Sequence, residues 1–401
     1  MPPGYSVNCG TLSQLDNRQD AEDNVMTRAI ILMLLLICIR GAYARRDATP
    51  SSSSIATSRP VTGPFSPTEL AAFKALRPVD THTHVLQSDQ AFYAMLKKLN
   101  IHILNIMLVD DTDPESNNLE KETTEAWQVV NDDPQDITLC TTFDPFQFNR
   151  ASFSQESNRK INSDFARGAV AVKIWKNVGM EIKDTNGKYL MPNNPVFEPI
   201  FIDIARHNKT LIAHLADPDT IWQAPTPSAP DYDYYMHNPR LYMYGRKGAP
   251  TKQEILEARD QILERNPELR VVGAHLGSME ADFSVLAHHL DRYPNFAVDI
   301  AARMQYVEMQ PREKIIDFIT RYQDRLMYGT DNEFYPGRDA AKTVMRWESR
   351  YSNDWRFFST NDVISYRNRR VQGLDLPQSI LRKLYHDNAV KWFPGMVGSS
   401  Q

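Results

Sequence analysis

Val79-Asp80-Thr81-His82-Thr83-His84 is the stretch from which the rest of the chain can be read. Its β-rich start predicts a strand over Val79–Thr83. In a strand, residues two apart share one face, so His82 and His84 can point together toward one ion. The stretch thus combines a buried strand with a pair of metal-type ligands at its C-terminal end.

Similar short runs recur downstream. Strands are expected at Ile101–Val109, Ile137–Phe143, Ala169–Trp175, Thr210–His214, Arg270–His275, Phe296–Ile300 and Leu326–Gly329. Most are apolar without alternation, as in parallel strands buried on both faces. Amphipathic stretches lie between them, near 89–99, 118–131, 155–166, 195–208, 251–265, 280–291 and 311–322, with a last one at 378–392. Eight β-then-α pairs predict an α/β fold, a closed (β/α)₈ TIM barrel over residues 66–396. An open doubly wound sheet is the alternative. No Gly-x-Gly-x-x-Gly follows the first strand, which counts against a dinucleotide fold. Two segments exceed plain connectors. Residues 216–250 are rich in Tyr, Trp and Pro and include His237; they read as a substrate lid. Residues 332–376 carry Trp347, Trp355 and many arginines. Both follow strands and are expected on the C-terminal face, where barrel active sites form.

Polar residues recur at the other strand ends: His214 after strand five, His275 after strand six and Asp331 after strand eight. Four histidines and a carboxylate on one rim point to a metal-dependent site. Such ligands suit zinc first, and also manganese, iron or cobalt. Lys173 ends strand four, and Arg303 follows strand seven. Arginine's fork matches a carboxylate bidentately, so Arg303 is a candidate for a substrate carboxylate, with a rim salt bridge as the alternative. Trp175 and His237 are expected to line the pocket. His102 begins strand two, the wrong end for catalysis.

These motifs, with Gly168-Ala169-Val170-Ala171-Val172-Lys173, Ala274-His275-Leu276-Gly277, Gly329-Thr330-Asp331 and Leu384-Tyr385-His386-Asp387-Asn388-Ala389, resemble the amidohydrolase superfamily. The resemblance covers roughly residues 78–394. It is strongest to the amidohydrolase-related branch, which includes aminocarboxymuconate semialdehyde decarboxylase and pyrone dicarboxylate lactonase. It implies one divalent metal ion held by His82, His84, His214 and Asp331. It also implies His275 as a catalytic histidine and Asp331 as both ligand and proton shuttle. A divalent ion can lower the pKa of bound water to about 7. Lysine at the Lys173 position is carboxylated and bridges two ions in some relatives. One metal is favoured here, with Lys173 or Lys176 contacting an anionic substrate group. The leading expectation is hydrolysis of an amide, lactone or ester bond in a small carboxylated molecule. Metal-dependent, non-oxidative decarboxylation is the alternative. A non-catalytic binding barrel is disfavoured because all five expected positions are filled.

The 401 residues are 42% hydrophobic and 24% charged, with a formal net charge of -5. Nothing there suggests a nucleic-acid partner. Residues 26–44 resemble a secretory signal peptide within a 1–44 leader: Met26-Thr27-Arg28, an apolar run Ala29–Ile39, then Ala42-Tyr43-Ala44. Eleven apolar residues are too few to span a bilayer, which takes about 20, so stable membrane insertion is not expected. Residues 45–65, rich in Ser and Pro, read as a flexible linker. The expected product is periplasmic or secreted. Of three cysteines only Cys140 lies beyond the leader, which excludes a thiolate metal cluster. The resemblance also raises a homodimer as an assembly.

Overall fold

The computed structural model describes residues 60–109, 119–366 and 369–396. The leader and most of the 45–65 linker lie outside the described residues, and with them the signal-like segment.

All eight expected strands are present and parallel: β1 Val79–Val85, β2 His102–Ile106, β3 Ile137–Thr142, β4 Ala171–Ile174, β5 Thr210–Ala213, β6 Arg270–Gly273, β7 Phe296–Asp299 and β8 Leu326–Met327. A ninth, β9 Asn332–Phe334, continues β8 after a turn and pairs parallel with β1, so the order runs from β8 stepwise to β1 and then β9. The chain therefore meets its own first strand, and the fold is a (β/α)₈ barrel. β1 runs two residues further than expected, to Val85, whereas the other strands end one to three residues earlier than expected. The longer helices are α1 Pro67–Ala75, α2 Gln90–Leu99, α3 Leu119–Asp132, α4 Phe153–Ala166, α5 Glu198–Arg206, α6 Tyr232–His237, α7 Lys252–Arg265, α8 Phe283–Arg292, α9 Met304–Met309, α10 Arg312–Arg321, α11 Ala340–Ser359, α12 Gln378–Arg382 and α13 Asn388–Trp392. No helix among the described residues is long and apolar enough to cross a membrane.

Two apolar layers follow from strand alternation. Leu104, Cys140, Ile212, Val272, Ala297 and Met327 fill the barrel interior, and Trp392, Phe393 and Met396 pack against them. Ile103, Leu139, Leu211, Val271, Phe296 and Val298 face the outer helices. Burying such a side chain contributes about 1.5–3 kcal/mol, and the two layers together fix which face of each strand is inside.

The segment 332–376 departs from its expected role as an active-site connector. It contains the 20-residue helix α11 and a hairpin of β10 Val363–Tyr366 with β11 Arg369–Gln372. Asp339 caps α11 by accepting from Lys342 N, and Trp347, Tyr351, Trp355 and Phe358 form its buried stripe. Trp347 packs edge-on against Phe92 of α2, with ring centroids 4.9 Å apart, and Trp355 against Phe73 of α1 at 5.6 Å. These tryptophans are core residues of the outer helical layer.

Candidate active site

The site begins with an irregularity in β1. Between Asp80 and Thr83 this strand advances three residues while β2 advances two, from Ile103 to Asn105. One extra residue is a β-bulge, which re-aims side chains. Val79 lies in the barrel interior and Asp80 turns outward to the Tyr351 hydroxyl on α11. After the bulge, His82 and His84 point inward.

Each inward histidine is fixed through Nδ1. His82 Nδ1 donates to Asp299 Oδ2 at 2.9 Å, His84 Nδ1 to Ile106 O at 2.7 Å, and His275 Nδ1 to Ala301 O at 2.9 Å. A carbonyl can only accept, so His84 and His275 carry the proton on Nδ1 and a lone pair on Nε2. His84 Nε2 and His82 Nε2 lie 3.2 and 3.5 Å from Asp331 Oδ1. The His275 ring stacks on His82 with centroids 4.7 Å apart. Burial, and then His214 nearby, push the His275 pKa well below the usual imidazole value.

Both His275 and Asp331 sit on unusual backbone. His275, Leu276, Gly277 and Ser278 have φ of 59°, 57°, 61° and 60°, a left-handed turn held by His275 N donating to Asp299 Oδ1 at 2.9 Å. Left-handed geometry costs an ordinary residue roughly 1–2 kcal/mol, and such strain concentrates at functional sites. The turn also depends on close packing at Gly273, where a Cβ would meet the Phe296 ring at 2.7 Å. Asp331, at φ 64°, stands between β8 and β9, its N–H donating to His82 O at 2.8 Å. Burial raises its carboxyl pKa, but His275 and His84 outweigh this and hold it well below the carboxylate range.

Lys173, inward on β4, places Nζ 3.1 Å from His82 Nε2. Burial pulls its pKa down to about 8 against the attraction of Asp299 and Asp331. His214 stands 4.3 Å ring to ring from His275, and its Nε2 meets Asp217 Oδ1 at 3.2 Å. Nδ1 is then the atom His214 has left for an ion. Burial lowers its pKa to about 3.

Two expected substrate contacts are already engaged by carboxylates. Lys176 Nζ lies 2.5 Å from Asp217 Oδ2, with the rings of Trp175 and Tyr234 about it. Burial lowers the Lys176 pKa, but Asp217 reverses that, and the net shift is upward. Arg303 lies 3.3 Å from Glu280 and 3.6 Å from Asp217. It is a buried salt-bridge residue, because leaving a guanidinium unpaired in this interior would cost several kcal/mol. Trp175 is buried, 6.2 Å from the His214 ring. His237 is exposed at the end of α6, its Nδ1 donating to Asp233 O at 2.6 Å, rather than part of the buried cluster. The 216–250 segment covers Lys176 through Tyr234 and Tyr235. It is tied to α9 by Asp231, which accepts from Tyr306 Oη at 2.5 Å and Gln305 Nε2 at 2.9 Å.

Asp299, Asp217 and Glu280 went unrecognised in the sequence. Asp299 ends an apolar strand, the same signal that marks His214 and His275. Asp217 and Glu280 lie in loops and are recognisable only from their partners.

The donor set fits a divalent metal. His82, His275 and Asp331 offer ligand atoms all within 4.8 Å of one another. The Nδ1 anchors of His82 and His275 are the outer contacts that orient ligating imidazoles. His275, expected apart from the ligands, belongs to this tightest group, while His214 is committed in part to Asp217.

A family model described as amidohydrolase matches residues 149–395. No curated protein matches the sequence. Among solved structures, 2,6-dihydroxybenzoate decarboxylase from Rhizobium is 14% identical with a TM-score of 0.49, covering 79% of this chain and 98% of its own. A 5-carboxyvanillate decarboxylase from Novosphingobium aromaticivorans, complexed with manganese, is 14% identical with a TM-score of 0.46, covering 79% and 95%. Dihydroorotase from Campylobacter jejuni is 12% identical with a TM-score of 0.41, covering 79% and 82%.

Proposed function

The chain belongs to the amidohydrolase family, and from that premise we propose that it removes carbon dioxide from a small carboxylic acid, without oxidation and with one divalent metal ion. His82, His84, His275 and Asp331, with His214 through Nδ1, would hold the ion, which supplies positive charge to polarise and orient the substrate. Zinc, manganese, iron and cobalt all suit these donors.

The observation that carries this reading is the place of Lys173. Decarboxylation needs a group that attracts the carboxylate and a proton for the carbon that loses it. Lys173 Nζ, 3.1 Å from His82 Nε2, is a buried ammonium beside the donor set, with a pKa of about 8. It can pair with the substrate carboxylate and hold a transferable proton near neutral pH. His275 and Asp331, with lowered pKa values, are unprotonated there and so available as ligands. In balance, the carbon–carboxylate bond breaks, carbon dioxide leaves, and the electron pair left on carbon takes the proton. Lys176 and Arg303, held by Asp217 and Glu280, stiffen the wall of the site.

Hydrolysis of a C–N or C–O bond, the leading expectation from sequence, stays as the second reading. It would take His275 off the ion, leaving its unprotonated Nε2 free to accept a proton from an attacking water. Incubating the manganese- or zinc-loaded protein in D₂O with panels of small aromatic acids, lactones and amides separates the two. Carbon dioxide, with deuterium at the vacated carbon, is the expected result. Ring-opened or cleaved acids without carbon dioxide would overturn it in favour of hydrolysis.

A further inference from the structure

The proposed ligands His82, His84 and Asp331 straddle one seam of the barrel. β8 pairs with β7, but between β8 and β1 there is no strand ladder among the described residues. Individual bonds close the seam up to Thr83 and Asn332, where the β1–β9 ladder begins. Thr81 N and Thr81 Oγ1 both donate to Tyr328 O, at 3.0 and 2.9 Å, and Asp331 N donates to His82 O. The fourth tie is the Asp80 carboxylate. Its Oδ1 accepts from Thr330 N at 3.0 Å and His82 N at 3.2 Å. Its Oδ2 accepts from Thr330 Oγ1 at 2.6 Å and Tyr351 Oη at 2.9 Å. Asp80 therefore grips the residue before Asp331 and the backbone of His82 at once. Among the described residues, Tyr351 supplies the one bond to this carboxylate that comes from outside the seam.

Accepting His82, His84 and Asp331 as ligands, we propose that Tyr351 of the outer helix α11 is a positioning residue for the metal site. Its hydroxyl fixes the Asp80 carboxylate. Asp80 in turn sets the spacing between the β1 histidines and the left-handed Asp331. Without that hydroxyl Asp80 keeps its bonds to Thr330 and His82 but loses its tie to α11, and its hold on the strained φ of 64° at Asp331 loosens. The Tyr351 ring contributes separately, packing 6.2 Å from Trp347 and 6.3 Å from Phe73, so removing the hydroxyl alone leaves the packing in place.

The test is Mn²⁺ affinity of the full chain by chelator competition, together with the visible d–d spectrum of the Co²⁺-loaded protein. Tyr351→Phe is expected to weaken Mn²⁺ binding by about tenfold, the lower end for losing an outer contact of a metal site, and to shift the Co²⁺ spectrum. Tyr385→Phe is the control: that buried hydroxyl has no hydrogen-bond partner among the described residues, and its ring packs tilted against Tyr328, 4.5 Å away, in the same aromatic group. It is expected to match the wild type in both readouts. Thr330→Val, which removes the other hydroxyl from Asp80 Oδ2, is expected to act in the same direction as Tyr351→Phe. Wild-type affinity and spectrum in Tyr351→Phe or Thr330→Val overturn the proposal. So does an equal loss in Tyr385→Phe, which makes the effect one of packing. A wild-type protein that takes up no metal overturns the ligand assignment itself, a different failure.

Discussion

At the scale of residues, neighbours decide what each group can do. Lys173 and Lys176 are three positions apart, yet one faces His82 and the other is neutralised by Asp217. Lys173→Met is expected to leave metal uptake intact and reduce carbon dioxide release by at least about a hundredfold, the weight of a positioned acid; unchanged turnover would remove Lys173 from the chemistry. Asp331→Asn is expected to keep the fold by circular dichroism and lose metal affinity by more than about a hundredfold, since even outer contacts are worth 10–100-fold. Retained metal and turnover in that variant would sink its assignment. The five rim residues were legible in the sequence because a polar residue ending an apolar strand has few other reasons to be there. Arg303 was open to two readings, since a guanidinium that binds substrate and one that pairs with Glu280 look alike until the partner is seen. Asp217 and Glu280 gave no signal because a loop carboxylate is ordinarily solvated.

At the scale of elements, strand and helix existence was readable, but side-chain direction within β1 was not. The His-x-His spacing places both rings on one face; the bulge after Asp80 determines that this face is the interior. Bulges leave no composition signal when no glycine marks them. α11 was readable in principle: Trp347, Tyr351, Trp355 and Phe358 fall at helical spacing after an Asp339 cap. The segment instead reads only as too long for a connector and expected on the C-terminal face. The 216–250 segment is anchored by Asp217 to Lys176 and Arg303, by Arg240 to Glu181 at 3.0 Å, and by Asp231, whose two bonds tie it to α9. Asp231→Ala is expected to raise KM by about tenfold, near 1.4 kcal/mol for hydrogen bonds to a charged group, and to speed proteolysis within 216–250. An unchanged KM and cleavage pattern would show that the segment stays in place without this tie.

At the scale of the whole molecule, stability depends on pH through a residue far from the chemistry. His102 lies at the N-terminal end of β2, with Nδ1 bonded to Gln135 O at 3.0 Å and Nε2 to Thr138 Oγ1 at 2.7 Å. Burial lowers its pKa from 6.5 to about 4. The unfolded chain therefore takes up this proton first as pH falls. His102 leaves stability intact above about pH 6.5 and lowers it progressively toward pH 4, by up to about 3 kcal/mol. Urea midpoints at pH 7 and pH 5 should differ less in His102→Gln than in the wild type; an equal difference would assign the acid sensitivity elsewhere. The seam between β8 and β1 has a consequence in time. A ribosome makes His82 and His84 early and Asp331 only near the end of the barrel. The proposed ligand set would therefore be completed by the same event that joins the last strand to the first. Nascent chains that stop short of Phe334 lack either the carboxylate or the strand that seats it, so a tightly held ion, if the proposed site binds one, would certify a finished barrel.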